Sequence, residues 1–199
     1  MEHGLGKLID EQLKPLYDKY YLDAPKSAQI ILEHCGIAGA CGLVPIPFAD
    51  IAILLPSHIV MYGRLNKVLG VSLSENTLHV IGKFMLSQLA GIIASIPLAF
   101  VAKIAGGLFK FIPFLGSLCG AVLDAAANAA ITYVLGVVYL KALVRTVENG
   151  RCDEEKLRGA LGEEFGDRDS IRDLYRKARE SASKMDFRKF KGQAEDYMG

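Results

Sequence analysis

Apolar residues recur at helical spacing from the start of the chain. Leu5, Leu8, Ile9, Leu13, Leu16 and Tyr20 fall on one face, which predicts an amphipathic helix over residues 5–22. Asp23, Ala24 and Pro25 interrupt it. Pro25, at a first-turn position, opens a second helix over about 26–41, rich in the small residues Gly36, Ala38, Gly39 and Ala40. Pro45 and Pro47, at alternate positions, cannot continue a helix, so the chain turns between Gly42 and Phe48. A third helix follows over about 48–68. Asp50 lies in its first turn, where the helix dipole favours an anion; Pro56 lies inside it and Gly70 ends it. Ser72 and Glu75 have capping-box spacing and open a fourth helix near residue 73.

Beyond this point the pattern changes twice. From Phe84 to Leu140 the only formal charges are Lys103, Lys110 and Asp124. The uncharged run 84–102 approaches the ~20 residues that cross hydrocarbon, and the Pro97 within it is tolerated better in lipid than in water. Gly106, Gly107 and Pro113 predict a turn, followed by a long apolar helix over about 115–144. Gly116 and Gly120 form a GxxxG pair on that helix and suit close backbone approach, with helix four as the expected antiparallel neighbour. Ile-Pro-Phe occurs at 46–48 and again at 112–114, a candidate internal repeat of two helical hairpins. After Asn149-Gly150 the chain becomes polar: 24 of its 45 charged residues lie there. Asp153 and Asp167 are N-cap candidates for helices over about 153–164 and 168–184, and residues 185–199 are expected to fray.

The expected fold class is therefore all-α, with about six to eight helices. Residues 1–25 form an N-terminal amphipathic helix, 26–149 a domain of two central hydrophobic hairpins, and 150–199 a charged helical tail. A mean hydropathy of +0.27 suits a protein partly in lipid and partly in water, or a bundle with an Ala/Gly-rich core. The net charge of +1 and the absence of Trp argue against nucleic acid as a partner. Cys35, Cys41, Cys119 and Cys152 have no metal spacing and read as reduced thiols in a cytoplasm-facing protein. The mixed charges of the N-terminus, without an apolar run, do not form a signal peptide.

Candidate chemistry is sparse. Asp124, Asn128 and Thr132 lie at i, i+4 and i+8 on an otherwise apolar helix; His79, Lys83 and Ser87 repeat the spacing on helix four. Lys83 is the candidate partner of Asp124. Two readings of Asp124 stay open: a hydrogen-bonded residue that fixes helix register, or an intramembrane acid that moves ions or protons. His34 and His58 have no second ligand at i+3 or i+4 and read as core histidines rather than metal ligands. Gly82-Lys83 lacks the remainder of a phosphate-cradling loop, and no HExxH or GxSxG occurs. The expectation is a protein that is not an enzyme, with no catalytic, cofactor or metal residues.

Gly42-Leu-Val-Pro-Ile-Pro-Phe-Ala-Asp-Ile-Ala-Ile-Leu-Leu55, followed by Met61-Tyr-Gly-Arg64, resembles the bacterial helical domain-of-unknown-function family number 697, which is associated with Era/Ras-like GTPases. Lys110 to Gly116, Thr132 to Gly136 and Tyr139 to Gly150 resemble that family's second hairpin and its exit, so the likeness spans about 28–150. It implies an all-helical, membrane-associated module that accompanies a GTPase, and no catalytic residues. No GTPase domain occurs in the sequence, so that partner would be encoded separately. The expected function is thus a non-enzymatic module at the bacterial inner membrane or its cytoplasmic face. Its expected partners are membrane lipid, a GTPase or other cytoplasmic protein, and further copies of itself through the Gly/Ala faces. A conditional pore-forming or membrane-remodelling protein and a soluble carrier of a hydrophobic ligand are the alternatives.

Overall fold

The computed structural model describes residues 3–20, 24–43, 49–95 and 115–198, with side chains at some helix margins, including 115–124, outside that description. Pro45, Pro47, Pro97, both Ile-Pro-Phe prolines and the Gly106–Pro113 turn lie outside the described residues. The fold is all-α, with eight α-helices among the described residues: α1 (His3–Tyr20), α2 (Ala24–Cys41), α3 (Ala49–Val68), α4 (Glu75–Ala94), α5 (Leu115–Thr146), α6 (Glu154–Gly166), α7 (Arg168–Ala182) and α8 (Lys191–Met198). A two-stranded hairpin (Val147–Glu148 with Arg151–Cys152) follows α5, and a 3-10 turn (Phe187–Phe190) precedes α8.

Local chemistry accounts for most of the helix ends. Asp153 and Asp167 cap α6 and α7, accepting from the backbone N–H groups of Lys156 and Ser170 at 2.9 and 3.1 Å. Helix α4 begins later than expected. Ser74, not Ser72, is its cap and accepts from the Thr77 N–H at 3.1 Å. This register puts Glu75 in the first turn and turns Leu78, Ile81, Met85, Leu89 and Ile92 into the core. Gly70, with φ +67°, ends α3: the Val71 N–H then reaches back to the Asn66 carbonyl at 2.9 Å, a left-handed closure that glycine adopts without a Cβ penalty.

The core is built around α5, where residues 132–140 are buried without interruption. Helix α2 runs antiparallel to it: Gly42 lies beside Ala125 and Asn128, and Ile31 beside Gly136. A Cβ on Gly42 would stand 2.8 Å from the Ala125 backbone, so the close approach of these helices depends on that glycine. Helix α3 runs parallel to α5, pairing His58 with Thr132 and Asn66 with Tyr139. Helix α1 is also parallel to α5: the Tyr133 hydroxyl donates to the Leu8 carbonyl at 3.2 Å, and the Lys141 amine to Gln12 at 2.8 Å.

Helix α4 packs against α3, with Leu78 near Gly63 and Leu55 near Gly82, and touches α5 only lightly. Along the described part of α5 it is a minor neighbour, while the Gly116/Gly120 face expected to meet it lies outside the described residues. Helices α2, α7 and α6 are the principal neighbours of α5 among the described residues.

The charged C-terminal part covers the core. Leu157, Ala160, Leu161 and Phe165 of α6, and Ile171, Tyr175, Ala178 and Ala182 of α7, are buried within the same apolar cluster as Leu5 and Ile31. The segment expected to fray is folded instead. Phe187 and Ala194 are buried, and the rings of Phe187 and Phe190 lie directly over Gly39 and Gly36 of α2. A Cβ on Gly36 would stand 2.5 Å from the Phe190 ring, and one on Gly39 would collide with Phe187. The small-residue face of α2 thus receives two aromatic rings from its own chain.

Candidate functional site

Eight polar side chains are buried among the described residues: Ser27, His34, Ser57, His58, Asn66, Asn128, Thr132 and Thr146. Six of them form a seam where α2, α3 and α5 meet. At its outer end, Arg64 of α3 donates from both terminal nitrogens to the Glu33 carboxylate of α2, each at 2.9 Å. Arg64 also lies 3.3 Å from His34 Nε2. A guanidinium has only donors, so Nε2 accepts, and Nδ1–H donates to the Ser57 hydroxyl at 3.0 Å. Both ring nitrogens of a neutral His34 are satisfied in this way.

Deeper in the core, the Thr132 hydroxyl donates to the Asn128 backbone carbonyl at 2.9 Å. Its oxygen therefore accepts from His58 Nε2–H, also at 2.9 Å. His58 Nδ1 then remains a buried acceptor with no partner among the described residues; the Tyr62 hydroxyl and the amide nitrogens (Nδ2) of Asn66 and Asn128, which are donors, are likewise without one. Tyr62 packs its ring 4.3 Å from that of Tyr139, whose hydroxyl donates to Asn66 Oδ1 at 2.7 Å.

Burial keeps both histidines neutral. It pushes His34 down to about 4, helped by the positive charge of Arg64 and opposed by Glu33. It pushes His58 down to about 3, with His34 adding in the same direction. The hydrogen bonds from Arg64 hold Glu33 below its ordinary value, against burial. Burial also pushes the Cys35 thiol up, consistent with an unreactive core cysteine.

The His34–Ser57 contact superficially resembles an activated hydroxyl, but its electrostatics run the other way. A catalytic imidazole accepts the serine proton and is steadied by a carboxylate. Here the imidazole donates to Ser57, a cation faces its second nitrogen, and Ser57 is 1% exposed. The seam is built to join three helices in one register.

The residues singled out in the sequence separate accordingly. Asn128 and Thr132 lie in the seam, facing Gly42 just past the end of α2 and His58 of α3. Lys83 is exposed on α4, and His79 of the same helix lies 3.7 Å from the Glu75 carboxylate. The polar partner of Thr132 is therefore a histidine of α3, while the expected pairing of Lys83 with Asp124 falls outside the described residues. Asp50 falls at the second position of α3, while the side chains of Asp50, Asp124, Gly116 and Gly120 lie outside the described residues, as do Pro45 and Pro47 entirely. The importance of Glu33, Arg64, Ser57, Tyr62, Asn66 and Tyr139 was not anticipated. Asn66 and Tyr139 are 73 residues apart, and no local pattern announces their contact. Among the described residues no group of three or more His, Cys, Asp and Glu is placed to hold a metal ion.

No family model, no curated protein and no solved structure matches this chain.

Proposed function

We propose that this chain is a non-enzymatic helical module that associates with the cytoplasmic face of a bacterial inner membrane and works with a separate partner there, such as a GTPase. The observation that carries the reading is how the apolar sequence is divided. Ala125–Thr146 is long and apolar enough to cross a membrane, yet 83% of its most apolar stretch is buried inside the bundle. That helix serves as a protein core. The apolar run before it, residues 96–124, has only Lys103, Lys110 and Asp124 as charges and is the stretch best suited to lipid. Helix α4 leads towards that run, with Val80 46% exposed. The likeness of residues 28–150 to a GTPase-associated family supports the choice of partner. The inverted electrostatics at Ser57 support a non-catalytic role.

Flotation tests the reading. The full chain is mixed with anionic liposomes, centrifuged through a density gradient without detergent, and compared with a variant in which 96–114 is replaced by a Gly/Ser linker. The full chain should float and the linker variant should stay at the bottom. Equal flotation of both, or none by the full chain, would overturn the membrane assignment.

A further inference from the structure

A cleft of about 720 Å³ opens between α2 and the C-terminal segment, within the size range of small-molecule sites. Leu32 of α2, Met185 and Phe190 give it an apolar floor. Its rim is polar and unevenly charged. Two carboxylates line it, and each already has a cation. Glu33 is held by both terminal nitrogens of Arg64 at 2.9 Å, and Asp186 by Arg188 at 2.8 and 3.2 Å. The two lysines on the same rim are much less engaged. Lys184 has only an i,i+4 contact with Glu180 at 3.8 Å, both side chains about three-quarters exposed, and Lys189 has no ion pair within 4 Å among the described residues, its charge adding only at longer range to that of Arg188 on Asp186. Gln29 and Gln193 add amide donors to the wall.

We propose that this cleft binds an amphipathic anion, a carboxylate or phosphate head on an apolar chain. The head is met by Lys184 and Lys189, and the chain lies over Leu32, Met185 and Phe190. The acids present do not repel it strongly, because each is neutralised by its own arginine. Two surface ammoniums over an apolar floor supply complementary charge and desolvated contact area at once. The site is independent of the membrane assignment, since every residue in it belongs to α2 or follows α7. The same chemistry could be offered by a free acyl carboxylate or by an anionic lipid within a bilayer.

Calorimetric titration of the full chain with decanoate, and in parallel with decanol, reads the free-ligand arm. Sedimentation with phosphatidylcholine vesicles, with and without phosphatidic acid, reads the bilayer arm. The Lys184→Gln/Lys189→Gln double variant accompanies each; both lysines are exposed, and an unchanged melting temperature will establish that it folds. Decanoate binding on the order of tenfold tighter than decanol, and lost by a similar factor in the variant, supports a free carboxylate ligand. An increment of vesicle binding that needs phosphatidic acid and vanishes in the variant supports the bilayer source. Equal affinity for decanoate and decanol, undiminished binding by the variant, or no response to decanoate or phosphatidic acid would overturn the proposal.

Discussion

Helices α5 and α7 look like opposites in sequence and serve the same core. From 132 to 140 every residue of α5 is buried, whichever way its side chain points. Helix α7 buries only Ile171, Tyr175, Ala178 and Ala182, a single stripe, and gives the rest of its circumference to charge. Composition reports how much of a helix's circumference is covered. It does not report whether lipid or protein does the covering, and α5, apolar enough for either, is covered by α2, α3, α6 and α7. Nor does a charged composition mark a dispensable appendage, because one stripe suffices to seal a core.

Cutting the chain after Gly150 tests that equivalence most severely. Burial of Leu157, Leu161 and Phe165 is worth about 1.5–3 kcal/mol each, comparable in sum to the whole stability of a domain of this kind. The truncated chain should show no cooperative thermal transition by circular dichroism. A cooperative melt close to that of the full chain would show that residues 150–199 are not needed to seal the core.

A smaller loss is expected at the contact where the charged part reaches α2. Phe187→Ala removes the ring that lies over Gly39 and should cost about 3–5 kcal/mol in urea unfolding. Gly39→Leu attacks the same contact from the other side and should destabilise by about 1–3 kcal/mol through overpacking. If both changes prove neutral, the C-terminal segment does not hold α2 in solution.

Acid should weaken the α2–α3–α5 seam rather than the C-terminal stripe. His34 and His58 lie at about 4 and about 3 in the folded chain, below the ordinary 6.5 that they recover on unfolding. The unfolded chain therefore binds more protons in this window, and stability is fully present above pH 6.5 and lost as pH falls towards 4. The slope should be about 1.4 kcal/mol per pH unit for each histidine. Denaturation between pH 7 and 4.5, with His58→Leu for comparison, checks this: the variant should show a shallower decline, and an identical slope would remove His58 from the account.

Tyr139→Phe is expected to have a mild effect, about 1–3 kcal/mol, because it leaves the buried Asn66 oxygen without its 2.7 Å donor. Adding Asn66→Leu should recover part of that loss. A double variant as unstable as the sum of the two single ones would show that the bond contributes nothing of its own.

The sequence by itself determined the all-helical class, the approximate helix limits and the Asp153 and Asp167 caps. Periodicity and capping act within one or two turns, where neighbours in space are neighbours in sequence. The Asn149-Gly150 hairpin is also legible in principle, since φ values of +51° and +72° at an Asn-Gly pair follow from local backbone preference. The tertiary structure alone decided that the small face of α2 receives Phe187 and Phe190, that the polar partner of Thr132 is His58 from 74 residues away, and that among the described residues α4 packs more on α3 than on α5. Those choices depend on which surfaces fit once all the helices compete for one core, and the spacing of residues along a single helix carries no information about its competitors.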